Sequence, residues 1–199
     1  MRRIEILDYC NSVVDIRNSY TIQPGSLFAV DTNVLYWYHY SRSVNPPSEN
    51  RFYIDLMDYL IENNMPLFTT IYNMTELFNI IENNEYRIYK NIHNVRINKK
   101  EFRRDPIQRA NVKRQLDATY ASIKTLYKID NFYMKIGSMD KYRENLSNHR
   151  CDIFDYYIFE HHREKGCLNL ITHDADAITF EGLNIYTANN KAINEFIHN

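Results

Sequence analysis

Short apolar runs alternate with longer segments of helical spacing along most of the chain. The runs SLFAV, PLFTTI, CLNLIT and LNIYT are brief and continuous, as in strands buried on both faces of a sheet. The segments NRFYIDLMDYLIENN, YNMTELFNIIENN, CDIFDYYIFEHHREKG and NNKAINEFIHN repeat apolar positions every three or four residues, as amphipathic helices do. Strands separated by helices predict an α/β fold, a three-layer α/β/α arrangement with a mostly parallel central sheet of about four to five strands.

Two segments depart from this alternation. Near the start, ILDYCNSVV places apolar residues at helical spacing, which predicts a helix over residues 3–18 within an N-terminal helical extension, residues 1–24. Residues 85–148 are rich in basic side chains and include a predicted long helix from Pro106 to Ile129, so we interpret them as a helical insertion. A chain of 199 residues has room for one ordinary core, which predicts a single domain, residues 1–199.

The composition narrows the class of protein. Hydrophobic residues make up 44% and charged residues 25%, as in globular proteins, and no apolar run approaches membrane-spanning length. We therefore expect a cytoplasmic protein with no membrane partner. A formal net charge of −1 gives no long-range attraction to nucleic acid, so any such binding must come from a local patch. Three cysteines without a C-x-x-C pair argue against a disulfide framework and a structural zinc site.

Acidic residues follow the predicted strands or begin the helices beside them. In open parallel sheets, ligands bind just outside the carboxyl ends of the strands, so we expect these carboxylates to converge at one edge of the sheet. Carboxylates that lie close together repel one another unless a cation compensates them. Hard oxygen ligands favour Mg²⁺ or Mn²⁺ over zinc. The acids are Asp31, Glu76, Asp152, Asp155, Asp174 and Asp176.

Each of these acids also has a simpler interpretation. Asp31 could merely cap the next helix, because Asp, Thr and Asn all favour helix N-termini. Acids in a first helical turn are stabilised by the helix dipole, and acids after a strand are common in turns. Four acidic segments at strand edges together favour a functional site. The histidines match no metal-binding spacing and are interpreted as structural: His149, His161, His162 and His173.

The order and spacing of these motifs resemble the PIN domain, the metal-dependent nuclease fold of VapC-type toxins. The resemblance covers Leu27 to Ile81 and Arg150 to Thr187, through VDTNVL, FTTIYNMTEL, DIFDYYIFEHHREKG and LNLITHDAD. It implies a PIN-like fold in which the catalytic acids and metal ligands are Asp31, Glu76, Asp155 and Asp174. Further metal ligands would be Asp176, which matches an accessory acid, and Asp152. Supporting polar positions are matched by Thr32, Asn33 and Thr172.

The same resemblance implies a Mg²⁺- or Mn²⁺-dependent endoribonuclease that leaves a 5′-phosphate and a 3′-hydroxyl. It also implies the toxin of a toxin–antitoxin pair, with RNA as substrate and an antitoxin protein and a second copy of the chain as partners. In the basic insertion, the candidate RNA-binding residues are Lys99, Lys100, Arg103 and Arg104. A solvated helical face balanced by acids explains the same pattern equally well.

Two other functions stay open at this point. A PIN-like module could bind RNA or protein without cutting, although a binding module has no need of mutually repelling carboxylates. A haloacid-dehalogenase-type phosphatase also uses an aspartate after its first strand. That chemistry needs a second aspartate two residues later, where this chain has Asn33.

Overall fold

The core of the described part of the chain is a six-stranded sheet in which every strand pair is parallel. The computed structural model describes residues 9–18, 20–43 and 47–198. Within these residues, the strand order across the sheet is β1-β6-β5-β2-β3-β4. The strands are β1 Ser12–Asp15, β2 Phe28–Val30, β3 Leu67–Thr70, β4 Tyr127–Asp130, β5 Asn169–Ile171 and β6 Asn184–Thr187.

Helices pack against both faces of this sheet. Alternate strand residues point to opposite faces, and Phe28 and Val30 of β2 belong to one buried cluster while Ala29 belongs to a second. The arrangement is compatible with three α/β/α layers. The α-helices of the described residues are α1 Thr32–His39, α2 Asn50–Glu62, α3 Ile71–His93, α4 Lys99–Arg104, α5 Pro106–Leu126, α6 Ile136–Asn145, α7 Ile153–Glu164 and α8 Asn190–Ile197. In this part of the chain, no helix is both long enough and apolar enough to cross a membrane.

The central alternation of strands and helices is confirmed. All four predicted strands occur, and Asp31 directly follows β2 as expected. The first-turn proline of α5 is Pro106, and the Asp105 carboxylate caps that helix by accepting from the Ile107 amide at 2.8 Å. Gly166 ends the segment of α7 with a φ of +71°, a conformation that glycine adopts without strain. The first-turn proline and the terminal glycine could be predicted from the sequence, because each depends only on residues close by in the chain.

The predicted N-terminal helix is wrong in its described part. Residues 3–8 lie outside the described residues, but Ser12–Asp15 form strand β1, parallel to β6 with Val13 opposite Ile185. The adjacent Val13 and Val14 pack into the two different clusters, one on each face of the sheet. A short apolar segment fits a helix or a strand equally well by spacing, and pairing with β6 decides for the strand.

The segment 85–148 is only partly a helical insertion. The predicted helix from Pro106 to Ile129 ends at Leu126, and Tyr127–Asp130 form β4 beside β3, with Thr70 opposite Asp130. The Tyr127 side chain is buried in the core, and its hydroxyl lies 2.8 Å from His39 Nε2. The segment therefore completes one edge of the sheet, and β1 completes the other. For this reason the sheet has six strands in the described residues instead of four to five.

One buried carboxylate ties α3 to the two helices that follow it. Glu82 of α3 lies 3.3 Å from Lys99 Nζ, 2.5 Å from Arg103 Nη2 and 2.5 Å from Arg109 Nη1. Hydrogen bonding from Arg103 is the main reason why the pKa of Glu82 is lowered to about 2. The ionised carboxylate therefore stabilises the folded state.

Glu82→Gln is expected to lower the free energy of unfolding at pH 7 by about 1–2 kcal/mol, a small value because Arg103 and Arg109 are half exposed. Since the folded pKa lies below the ordinary carboxyl value, this stabilisation is present above pH ~4.5 and is lost as the pH falls towards 2. Urea unfolding of both proteins across this range measures the difference. Glu62→Gln on exposed α2 surface is the control, and a difference independent of pH would contradict the prediction.

Candidate active site

Asp31 is the most tightly held acid at the carboxyl edge of the sheet. Its carboxylate accepts the Thr32 amide at 2.7 Å, the Asn33 side-chain amide at 2.7 Å and the Thr172 hydroxyl at 2.6 Å. The Thr32 contact makes Asp31 the N-cap of α1, as the simpler interpretation requires. The contacts from the Asn33 side chain and the Thr172 hydroxyl are not part of a helix cap, and Thr172 follows the neighbouring strand β5. Capping alone therefore does not account for the geometry.

Glu76 is joined to Asp31 through a second set of polar contacts. The Thr32 hydroxyl donates to Glu76 Oε2 at 2.6 Å. The Asn73 side-chain amide donates to the Thr32 hydroxyl at 3.1 Å and lies 3.4 Å from Asp31 Oδ1. Asn73 is fixed in turn by the capping box that it forms with Thr70 at the start of α3. Glu76 is itself exposed, so its carboxylate lies at the rim of the site.

Asn73 is a site residue that the sequence analysis missed. The sequence does contain a signal for it, since Thr70 and Asn73 have the T-x-x-N spacing of a reciprocal helix cap. That signal predicts a helix start and says nothing about the contact with Thr32. The role of Asn73 depends on the position of α3 beside α1, which is set by tertiary packing.

The two acids of α7 have different surroundings. Asp152 is exposed and caps the helix, with its Oδ1 accepting from the Phe154 amide at 2.8 Å and the Asp155 amide at 3.0 Å. Asp155 is half-buried in the first turn. Burial is the main cause that raises its pKa to about 8, and the surrounding carboxylates raise it further: Asp31, Asp152, Asp174 and Glu76. The acids of all four segments therefore act on one another.

The acids after β5 also separate into two kinds. The Asp174 amide donates to the Thr172 hydroxyl at 3.0 Å, so this hydroxyl links Asp174 to Asp31. Asp176, which begins a short 3-10 helix, lies 3.3 Å from Arg150 Nε and 4.0 Å from Lys191 Nζ. The charge of Asp176 is thus partly compensated by cations of the chain, whereas Asp174 faces other acids.

The electrostatics of Asp31 agree with this arrangement. Burial raises the pKa of Asp31 to about 6, against the hydrogen bonds from Thr172 and Thr32 that lower it. The negative charges of Glu76 and Asp174 add to the increase. An ionised Asp31 is therefore costly at neutral pH unless positive charge is brought to it.

The donor set fits a hard divalent cation in its chemistry. All the candidate ligands are carboxylates, and their mutual repulsion is the property that a bound cation would relieve. Among the described residues, however, no three His, Cys, Asp or Glu side chains are already arranged to hold a metal ion.

A cavity opens between α3 and α7 beside these acids. Its volume is about 310 Å³, which is the lower end of the range for small-molecule sites. The lining residues are Tyr72, Thr75, Glu76, Asn79, Asp152, Phe154, Asp155 and Ile158. Candidate acids from two separate segments of the chain therefore share one solvent-accessible space.

The four candidate RNA-binding residues fall into two pairs. Lys99 and Arg103 are bound to Glu82, so part of their charge is used in holding α4 to α3. Lys100 and Arg104 are exposed and take part in none of the ion pairs within the described ranges. They form the pair whose charge is available to a ligand.

The histidine beside Asp174 packs among aromatic rings. The His173 ring contacts those of Trp37 and Tyr53, and its Nδ1 is 2.9 Å from the Tyr53 hydroxyl.

Comparison of the chain with models of known protein families, and with curated proteins, found no match. The resemblance to PIN domains thus depends on the motifs and on the grouping of the acids.

Proposed function

We propose that this protein is a PIN-like, metal-dependent endoribonuclease. The observation that carries the proposal is the grouping of Asp31, Glu76, Asp155 and Asp174 at one edge of the sheet, where burial first and the neighbouring carboxylates second raise the pKa of Asp31 and Asp155. Such repulsion lowers stability and has a use where a divalent cation is bound. The acids also lie at the carboxyl edge of a parallel sheet, where ligands bind in this class of fold.

The proposed ligands of Mg²⁺ or Mn²⁺ are Asp31, Glu76, Asp155 and Asp174. Asp152 and Asp176 are further candidate ligands, of which Asp152 caps α7 and Asp176 pairs with Arg150. When bound, the cation would supply positive charge to a phosphodiester undergoing in-line displacement by water. Asp31 caps the N-terminus of α1 and Asp155 lies in the first turn of α7, and the partial positive charge of helix N-termini favours a phosphate group nearby.

The protein's own groups orient the ligands. The Thr172 hydroxyl and the Asn33 amide donate to one oxygen of Asp31, and the Thr32 amide donates to the other. The Thr32 hydroxyl fixes one oxygen of Glu76. Supporting hydrogen bonds of this kind set the orientation and basicity of metal ligands.

The proposed setting is the toxin of a toxin–antitoxin pair in the cytoplasm, with an antitoxin protein and a second copy of the chain as partners. This part of the proposal comes from the PIN resemblance alone. RNA as substrate has separate support in the exposed pair Lys100 and Arg104, which can contact a phosphate backbone.

Lys100→Gln combined with Arg104→Gln is expected to weaken RNA binding and to reduce its salt dependence. Each lost phosphate contact on a single strand lowers the slope of log Kd against log salt by ~0.7, so the double change lowers it by about 1.4. Fluorescence anisotropy of a labelled RNA across a salt series, in EDTA, measures this. Lys124→Gln with Lys165→Gln removes the same charge from other exposed helix ends. Equal slopes for both double variants would contradict the assignment.

The proposed function is tested by incubating the purified protein with labelled structured RNA in Mg²⁺, in Mn²⁺ and in EDTA. Cleavage in either metal but not in EDTA, with 5′-phosphate ends on the products, is the expected result. RNA binding without cleavage in either metal would overturn the proposal and favour a PIN-like binding module. Release of phosphate from a small phosphomonoester instead of RNA cleavage would favour the phosphatase.

A further inference from the structure

Three aromatic rings form a row that leads into the cavity between α3 and α7, and two of them line it. Tyr72 lies between the other two, with its ring centroid 4.8 Å from that of Phe132 and 6.4 Å from that of Phe154. Phe154 is 53% exposed although it is a large apolar side chain. We call Phe132, Tyr72 and Phe154 the aromatic row. Its exposed end has a free ring surface facing solvent.

The aromatic row is attached to the same helical turns as the candidate acids. Tyr72 lies one helical turn before Glu76 in α3, and Phe154 directly precedes Asp155 in α7. Two of the three rings line the 310 Å³ cavity together with carboxylates from both helices. The planes of the Tyr72 and Phe154 rings are inclined by 42°, so a flat group that stacks on Phe154 would meet Tyr72 at an angle, in the same cavity as the acids.

The inner end of the row is held firmly. The ring of Phe132 stacks on His161 with centroids 4.2 Å apart and an interplanar angle of 12°. His161 is buried, and its Nε2 lies 3.3 Å from Asp130 Oδ2 at the end of β4. Tyr72 is packed against this support and is half-buried. Because the row is already ordered, a ligand that stacks on it avoids the entropic cost of ordering the rings.

We propose that Phe154 and Tyr72 form a base-stacking subsite, in which an unpaired nucleobase of the RNA stacks on the exposed Phe154 ring and contacts Tyr72 while its neighbouring phosphate reaches the acids. The inference depends on the proposed nuclease function and adds a binding subsite to it. A nucleobase is the planar part of RNA, and stacking on aromatic side chains accepts any base. A paired base inside a duplex has no free face, so the nucleotide at this position must be unpaired.

The cavity supplies polar groups as well as rings. Thr75 and Asn79 line it beside Glu76, one helical turn apart on α3. An asparagine side chain can donate to and accept from a base edge. An apolar protein segment would bring no phosphate to the carboxylates, whereas a nucleotide brings the group on which a metal-dependent nuclease acts. The position beside the acids therefore favours RNA over a protein partner.

The test uses short single-stranded RNAs that carry 2-aminopurine at successive positions, because the fluorescence of this base is quenched by stacking. Binding is measured in Ca²⁺ in place of Mg²⁺ or Mn²⁺, so that a cation compensates the carboxylates, and the RNA is checked to be intact after each titration. We expect one labelled position to be quenched on binding to the wild-type protein. Phe154→Leu, which keeps an apolar side chain but removes the ring, should abolish that quenching and raise Kd about tenfold. Phe154→Tyr should restore both.

Phe154 is half exposed, so these substitutions are not expected to unfold the protein, and an unchanged thermal midpoint checks this. Tyr72→Leu gives a second measurement on the same subsite. Quenching that is equal in the wild type and in both Leu variants, or no binding by the wild-type protein, would overturn the subsite. These results are distinct from failure of the nuclease proposal, which is decided by metal-dependent cleavage and its loss in Asp31→Asn.

Discussion

Replacing Asp31 with asparagine is expected to abolish metal-dependent RNA cleavage while the protein remains folded. The substitution removes the charge at the centre of the acidic group but keeps the size of the side chain and one oxygen to accept the Thr32 amide. Loss of a central metal ligand should lower kcat at least ~10³-fold, because the stabilisation of the reacting phosphate depends on the cation. Cleavage of labelled RNA in Mn²⁺, followed over time, measures the loss.

The same variant should be as stable as the wild type in EDTA at pH 8, or more stable. Because the folded pKa of Asp31 is raised to about 6, ionising this group destabilises the wild-type fold as the pH rises through 4 to 6. That penalty is about 3 kcal/mol, and asparagine avoids it. The unfavourable contact between the new amide and the Asn33 amide offsets part of the gain. Thermal unfolding in EDTA at pH 4 and pH 8 separates the two effects.

Asp117→Asn is the matched control, since it makes the same change at an exposed position on α5. It should cleave RNA at the wild-type rate. If Asp31→Asn cleaves normally, Asp31 is only a helix cap and the metal site is misplaced. If both variants lose activity equally, the loss comes from handling of the proteins and says nothing about the site.

Thr172→Val is expected to have the second largest effect, through a residue that touches neither metal nor substrate. The Thr172 hydroxyl donates to Asp31 at 2.6 Å and accepts from the Asp174 amide at 3.0 Å. Valine has the same shape but leaves both groups without this partner, which costs ~1–3 kcal/mol of stability in a fully buried position. Removing a residue that orients a metal ligand typically lowers metal affinity or activity 10–100-fold. We therefore expect Thr172→Val to lower the Mn²⁺ affinity about tenfold or more.

The informative measurement is the Mn²⁺ concentration that gives half-maximal cleavage. If Thr172 positions the ligands, the valine variant should need about tenfold more Mn²⁺, and Thr172→Ser, which keeps the hydroxyl, should return close to wild type. A purely structural role predicts lower stability with an unchanged Mn²⁺ requirement. That outcome would remove Thr172 from the site.

The inner strands of the sheet were predictable because they are buried on both faces, which leaves an apolar run in the sequence. The edge strands were not. In β4 the letters YKID alternate apolar and charged residues directly after a 21-residue helix, so the helical pattern extends into the strand. In β1, Val13 and Val14 fit both the helical repeat and the strand repeat of apolar residues. What decides both edges is pairing with a strand far along the chain, and this pairing leaves no local pattern.

For the candidate site, the sequence predicted which acids come together at the sheet edge but not their individual surroundings. The strand-end rule located Asp31, Asp174 and Glu76 without any structure, and it also brought Asp155 to the same edge. The rule could not separate Asp155 from Asp152, because both begin one helix; burial and capping distinguish them. Nor could it predict that Lys99 and Arg103 would pair with Glu82, since this depends on how α4 folds back on α3.

The hydrogen bond between Thr172 and Asp31 spans 141 positions of the chain. During synthesis from the N-terminus, β2, α1 and α3 can be complete long before β5 has left the ribosome. Until β5 is added, Asp31 lacks its neighbouring strand, and neither Asp155 nor Asp174 has arrived at the site. A nascent chain of a ribonuclease built in this way would carry its first acids beside its own messenger RNA and the ribosome without being able to cut them. The proposed activity would therefore require synthesis to have passed Asp174, the last of the four proposed ligands along the chain.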